Sequence, residues 1–75
     1  MTEKEILALG FTKHETEYEG ETFTEFTIGN DSLGIAIQGF TLVELQIDSR
    51  FTTVPNVNDI ADLNELMKLF NIKKI

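Results

Sequence analysis

Seventy-five residues make one domain, spanning 1–75, and leave no room for a second core. A composition of 41% apolar and 25% charged residues is too apolar for disorder, and the absence of cysteine excludes a disulfide framework and a thiolate metal site. Thirteen acids against six bases give a net charge of -7, which repels nucleic acid and anionic membranes and suits either a basic protein partner or simply solubility.

The charge is uneven. Residues 1–31 hold eight acids and two bases, net -6, while residues 32–75 hold five acids and four bases, net -1. The first residues, Thr2, Glu3, Lys4 and Glu5, are polar and acidic, unlike a secretory leader. No apolar run approaches the ~18 residues that a bilayer-spanning helix needs. The expectation is a soluble, cytoplasmic protein made without export.

The chain opens with helix-start signals. Thr2 is a good N-cap, Glu5 completes a capping box, and Met1 and Ile6 occupy the staple positions. Gly10 suits the left-handed residue after the last turn. The spacing predicts a helix over 3–9. It is too short to persist alone, so Ile6, Leu7 and Leu9 must dock on the rest of the protein.

Phe11 to Ile28 reads as a hairpin rich in Thr, Tyr and Phe. Glu19-Gly20 is the turn signal inside it. A three-residue loop of Tyr18, Glu19 and Gly20 sets residue i opposite 38 − i and gathers Glu15, Glu17, Glu21 and Glu25 on one solvent face. Phe23 then sits among the glutamates. The other face carries His14, Thr16, Thr22 and Thr24 and turns apolar at Phe26 and Ile28. A two-residue turn would mix the two faces instead.

Gly29 to Ser32 is a connection. Leu33, Ile35 and Ile37 then alternate with Gly34, Ala36 and Gln38, so this strand is central or closely covered on its small-residue face. Gly39-Phe40 reads as a tight turn. Val43, Leu45 and Ile47 alternate with polar residues, as in a half-buried strand. Asp48 to Arg50 leaves the sheet, with Phe51 and Val54 capping one end of the core.

Pro55 marks the break before the last helix. Its N-cap is Asn56, Asn58 or Asp59. Ile60, Leu63, Leu66, Met67 and Phe70 recur at steps of three and four and fall on one stripe. Lys73 and Lys74 lie near the helix's negative end. The predicted fold is therefore α+β: a short N-terminal helix, a four-stranded antiparallel meander sheet, and a C-terminal amphipathic helix, with both helices on one face.

Little in this inventory supports catalysis. His14 is the single histidine, and it sits on a polar hairpin as an ordinary surface histidine would. A strand face spreads its carboxylates, whereas calcium needs oxygens converging from a bent loop. No phosphate-binding glycine loop is present. The reading is a non-enzymatic domain that requires no cofactor or metal. Glu15, Glu17, Tyr18, Glu19, Glu21, Phe23 and Glu25 form its candidate partner-binding set, with aromatic anchors ringed by charge.

The layout runs from Leu9-Gly10-Phe11 through a glutamate-rich hairpin to a last helix opening Asp59-Ile60-Ala61-Asp62-Leu63-Asn64-Glu65-Leu66. It resembles the small accessory proteins of bacteriophages and prophages. That resemblance implies no activity or site residues of its own, but it favours one class, accessory inhibitors of the anti-defence or anti-CRISPR kind, which block a basic surface of a host or defence nucleic-acid-binding protein. The rival reading is a structural or regulatory homo-oligomer, such as a homodimer, formed by an edge strand or by Leu69 and Ile72 on the outer side of the last helix.

Overall fold

The computed structural model describes residues 1–72. Its element order is α1 (Glu3–Ala8), β1 (Thr12–Tyr18), β2 (Glu21–Gly29), β3 (Leu33–Gln38), β4 (Leu42–Ile47), β5 (Arg50–Thr53) and α2 (Ile60–Leu69). The strands form one antiparallel sheet in the order β1-β2-β3-β4-β5. The class is α+β and the topology a meander, as the short connections require.

The strand count is five, not four. Residues after Ile47 do not leave the sheet. Asp48 and Ser49, with φ of +49° and +66°, make a two-residue turn of the kind that fits the strand twist, and Arg50 returns opposite Ile47. Neither turn residue is glycine. Their left-handed backbones are held from across the sheet: Asp48 N–H donates to Ser32 O at 3.1 Å and Ser49 N–H to Asp31 O at 2.7 Å.

α1 is set locally. The Thr2 hydroxyl accepts from Glu5 N–H at 3.2 Å, and the Glu5 carboxylate accepts from Thr2 N–H at 2.9 Å. Leu9 is the C-cap, so the helix ends one residue before the predicted boundary, and Gly10 follows at φ +100°. At six residues the helix depends on Ile6, which is fully buried in the core.

Of the candidate caps for α2, Asp59 takes the role: its carboxylate accepts from Asp62 N–H at 2.9 Å. Asp62 reaches back to accept from Asn58 N–H at 3.0 Å. Leu63, Leu66 and Met67 are buried, and Ile60 packs at the core margin. Phe70 at the far end of the stripe is the C-cap and is exposed. Lys73 and Lys74 lie outside the described residues.

Both helices cover one sheet face. Ile6, Leu63, Leu66 and Met67 meet Phe26, Ile28, Ile35, Ile37, Val43 and Leu45, with Phe11 closing one side. These strand residues lie on one face because side chains alternate and the register pairs Phe26 with Ile37, Ile37 with Val43, and Ile35 with Leu45. Among the described residues the opposite face carries no helix. Gly34 and Ala36 lie there because β3 is the central strand, and Ala36 is buried between its paired neighbours Thr27 and Glu44.

One aromatic placement differs from expectation. Phe51 does not cap the core; it lies on the open face opposite Gln46 and is 53% exposed. Phe40 sits in the β3–β4 turn with its ring 5.6 Å from that of Phe26, so it shields the core edge while staying part-exposed. No helix among the described residues is long and apolar enough to cross a membrane.

Candidate protein-binding arm

The β1–β2 hairpin turns on two residues, Glu19 (φ +52°) and Gly20 (φ +81°), with Tyr18 directly opposite Glu21. Residue i therefore faces 39 − i. This overturns the expected single acidic face. Glu15 and Glu17 point to the helix side with Thr22 and Thr24, while Glu21, Phe23 and Glu25 share the open side with His14, Thr16 and Tyr18. Phe26 and Ile28 face the helices and fix the two sides of β2; the two-residue turn then places the odd-numbered residues of β1 on the helix side.

The hairpin outreaches the rest of the sheet. Pairing with β3 ends at Glu25 opposite Gln38, and one further bond joins Gly39 N–H to Thr24 O at 2.8 Å. Residues Thr16 to Phe23 thus form a two-stranded ribbon with no third strand beside it among the described residues. Every one of them is exposed, Tyr18 at 66% and Phe23 at 53%. Tyr18 and Phe23 sit diagonally across the two strands on the open side.

The charge on the arm is graded from base to tip. At the base, Lys13 Nζ lies 2.7 Å from Glu15 and 2.8 Å from Glu3 on α1. These two contacts raise the Lys13 ammonium to a pKa of about 12, the hydrogen bond to Glu15 contributing most and that to Glu3 next. Glu25 accepts a hydrogen bond from the Gln38 side-chain amide. Toward the tip, Glu17, Glu19 and Glu21 make no ion pair among the described residues. The seven candidate residues therefore divide into a base whose carboxylates are engaged, Glu15 by the Lys13 ammonium and Glu25 by the uncharged Gln38 amide, and a free tip (Glu17, Tyr18, Glu19, Glu21, Phe23).

Other chemistry finds little support nearby. His14 Nε2 is 2.9 Å from the Thr27 hydroxyl, and its cross-strand neighbour Glu25 is engaged by Gln38. No group of three metal-ligating side chains converges among the described residues. A shallow hollow of about 520 Å³ is lined by Ile47, Asp48, Arg50 and Thr52. It lies beside the β4–β5 turn, far along the sheet from His14.

The unsupported arm and the fifth strand carried no clear sequence signal. Arm length depends on where β3 stops pairing, which is a property of the sheet and not of residues 11–28. No protein-family model, curated protein or solved structure matches this chain.

Proposed function

We propose that the protein is a non-enzymatic binding domain that inserts its β1–β2 arm into a basic cleft of another protein. One observation carries this reading: residues Thr16 to Phe23 project as a ribbon exposed on both faces, with carboxylates on each face, no basic residue, and two exposed rings. A flat acidic face would suit a flat partner. Acids on both sides of a narrow ribbon suit a groove whose two walls are both basic.

The sharpest version is an inhibitor of a host or defence nucleic-acid-binding protein. Glu17, Glu19 and Glu21 take positions meant for phosphates, and Tyr18 and Phe23 supply apolar anchorage. Charge attraction then speeds association and weakens with salt.

The test is capture of binding proteins by the immobilised domain, with two comparisons. Glu17, Glu19 and Glu21 are changed to Lys together, and heparin is added as a phosphate-like competitor. A partner held by the native arm should be lost with the triple variant and displaced by heparin. Capture that survives both changes removes the proposal, and capture lost with the variant but resistant to heparin removes the inhibitor version alone.

A further inference from the structure

The two edges of the sheet differ in a way that points to self-association. In an antiparallel ladder, residues alternate between bonding inward to the neighbouring strand and presenting N–H and C=O outward. Gly39 N–H bonds Thr24 O, so Thr24 faces β3 and its opposite number Glu15 faces solvent from the β1 edge. By alternation the outward groups of β1 belong to Lys13, Glu15 and Glu17. Each carries a charged side chain, a common means of blocking edge-to-edge pairing.

The outward residues of the β5 edge carry no such charge, the strand's one charged residue, Arg50, bonding inward. Val54 N–H bonds Val43 O at 2.9 Å, so Thr52 and Arg50 bond inward to β4 and the outward residues are Phe51 and Thr53. Neither is charged, and no proline lies within the strand. Exposed apolar surface flanks this edge on both sides of the sheet, with Phe51 on the open face and Ile47 beside the hollow on the helix face.

We propose that two copies of this chain pair through β5, antiparallel, about a twofold axis at Thr52. Phe51 and Thr53 then exchange their free backbone hydrogen bonds with the second copy's Thr53 and Phe51. Residue i meets 104 − i, so the helix faces of both sheets stay on one side. On the open face each Phe51 ring covers the second copy's Thr53, an aromatic and β-branched cross-strand pair. On the helix face Arg50 meets the second copy's Val54 at the margin of the hollow. The occupant is a second copy because, of the twofold rotations open to this edge, the one at Thr52 pairs both outward residues of β5 with their counterparts and satisfies all of their free donors and acceptors.

Electrostatics favours this edge over the other. Each copy carries a charge of -7, concentrated on the β1–β2 arm at the far edge. Joining the sheets through β5 puts the two arms about 40 Å apart at ~4.8 Å per strand. That is well beyond a screening length of ~8 Å. Joining them through β1 would set Glu15 and Glu17 against their own copies.

Sedimentation over roughly 5 to 500 µM, at low and at about 0.5 M salt, tests the proposal. The native chain should form dimers and no larger species, with affinity rising as salt screens the residual repulsion, opposite to the salt effect on arm binding. Thr53→Pro removes an outward N–H without breaking an internal bond, and edge strands accept proline. Thr52→Lys places two ammonium groups at the axis. Each variant should raise the dimer dissociation constant at least about tenfold, or ~1.4 kcal/mol, with the melting temperature of the dilute protein preserved. The Phe51 and Thr53 amides should exchange more slowly as concentration rises. A monomer throughout, species larger than dimers, or dimers indifferent to both substitutions would overturn the assignment.

Discussion

Tyr18 and Glu21 face each other directly across the β1–β2 hairpin, with Glu19 and Gly20 alone between them. One more residue in that turn would reverse which side chains of β1 meet the helices. Glu15 and Glu17 would leave the helix side, and Lys13 would lose the position from which it bridges Glu15 and Glu3. The hairpin turn thus controls both the spread of charge on the arm and the ionic tie between the arm and α1.

The turn itself is improvable. Glu19 holds φ +52°, a left-handed conformation that costs a non-glycine residue about 1 kcal/mol or more and that asparagine tolerates best. Glu19→Asn makes the preferred Asn-Gly pair and should stabilise the fold by roughly 0.5–1 kcal/mol. The urea midpoint should rise with an unchanged m-value. Partner binding should fall at the same time, because a tip carboxylate is gone.

Gly34 has no such tolerance. A Cβ there would meet Ile28 O at 2.7 Å and Asn30 O at 2.9 Å, both backbone atoms. Gly34→Ala should therefore cost roughly 2–3 kcal/mol through forced backbone shifts. Thermal unfolding by circular dichroism reads the effect, and a melting temperature within a degree of the native one would contradict it.

Leu63 is fully buried where α2 meets the sheet. Leu63→Ala should cost about 2–5 kcal/mol by lost transfer energy and a residual cavity. A chain of this length has a total stability of only a few to about 10 kcal/mol, so the variant should be partly unfolded at 37 °C. Tryptic digestion should cut it far faster than the native protein.

Lys13 sets a pH dependence of known sign. Its pKa is raised from 10.5 to about 12 by Glu15 and Glu3. A raised folded-state value means the stabilisation is complete below pH 10.5 and disappears as pH climbs through about 12. The Glu3→Gln, Glu15→Gln double variant should melt below the native protein at pH 9, and the difference should vanish above pH 12. A difference constant across that window would show that the ammonium is not the cause. Because the group is solvent-exposed, the effect on melting should be small.

Local chemistry alone determined much of this fold. The Thr2 and Glu5 capping pair marks where α1 starts, because its hydrogen bonds span three residues, although the helix persists only with Ile6 docked on the core. The alternation at Leu33–Ile37 and Val43–Ile47, and the buried set Leu63, Leu66 and Met67, are legible because a strand or a helix repeats at a fixed period. The acidity and the aromatic content of residues 15–25 are equally plain in the sequence. Their division between two faces is not, since a one-residue change of turn inverts it: Phe26 and Ile28 fix which side of β2 meets the helices, and the two-residue turn at Glu19-Gly20 then sets β1 against it. The fifth strand is likewise a tertiary outcome. Arg50–Thr53 has four residues and no buried side chain, and its turn uses two strained non-glycine residues held by carbonyls of Asp31 and Ser32. Its Phe and Thr residues favour an extended chain, but with no buried face to hold it the segment becomes a strand because β4 offers it a free edge, and only the assembled sheet supplies that edge.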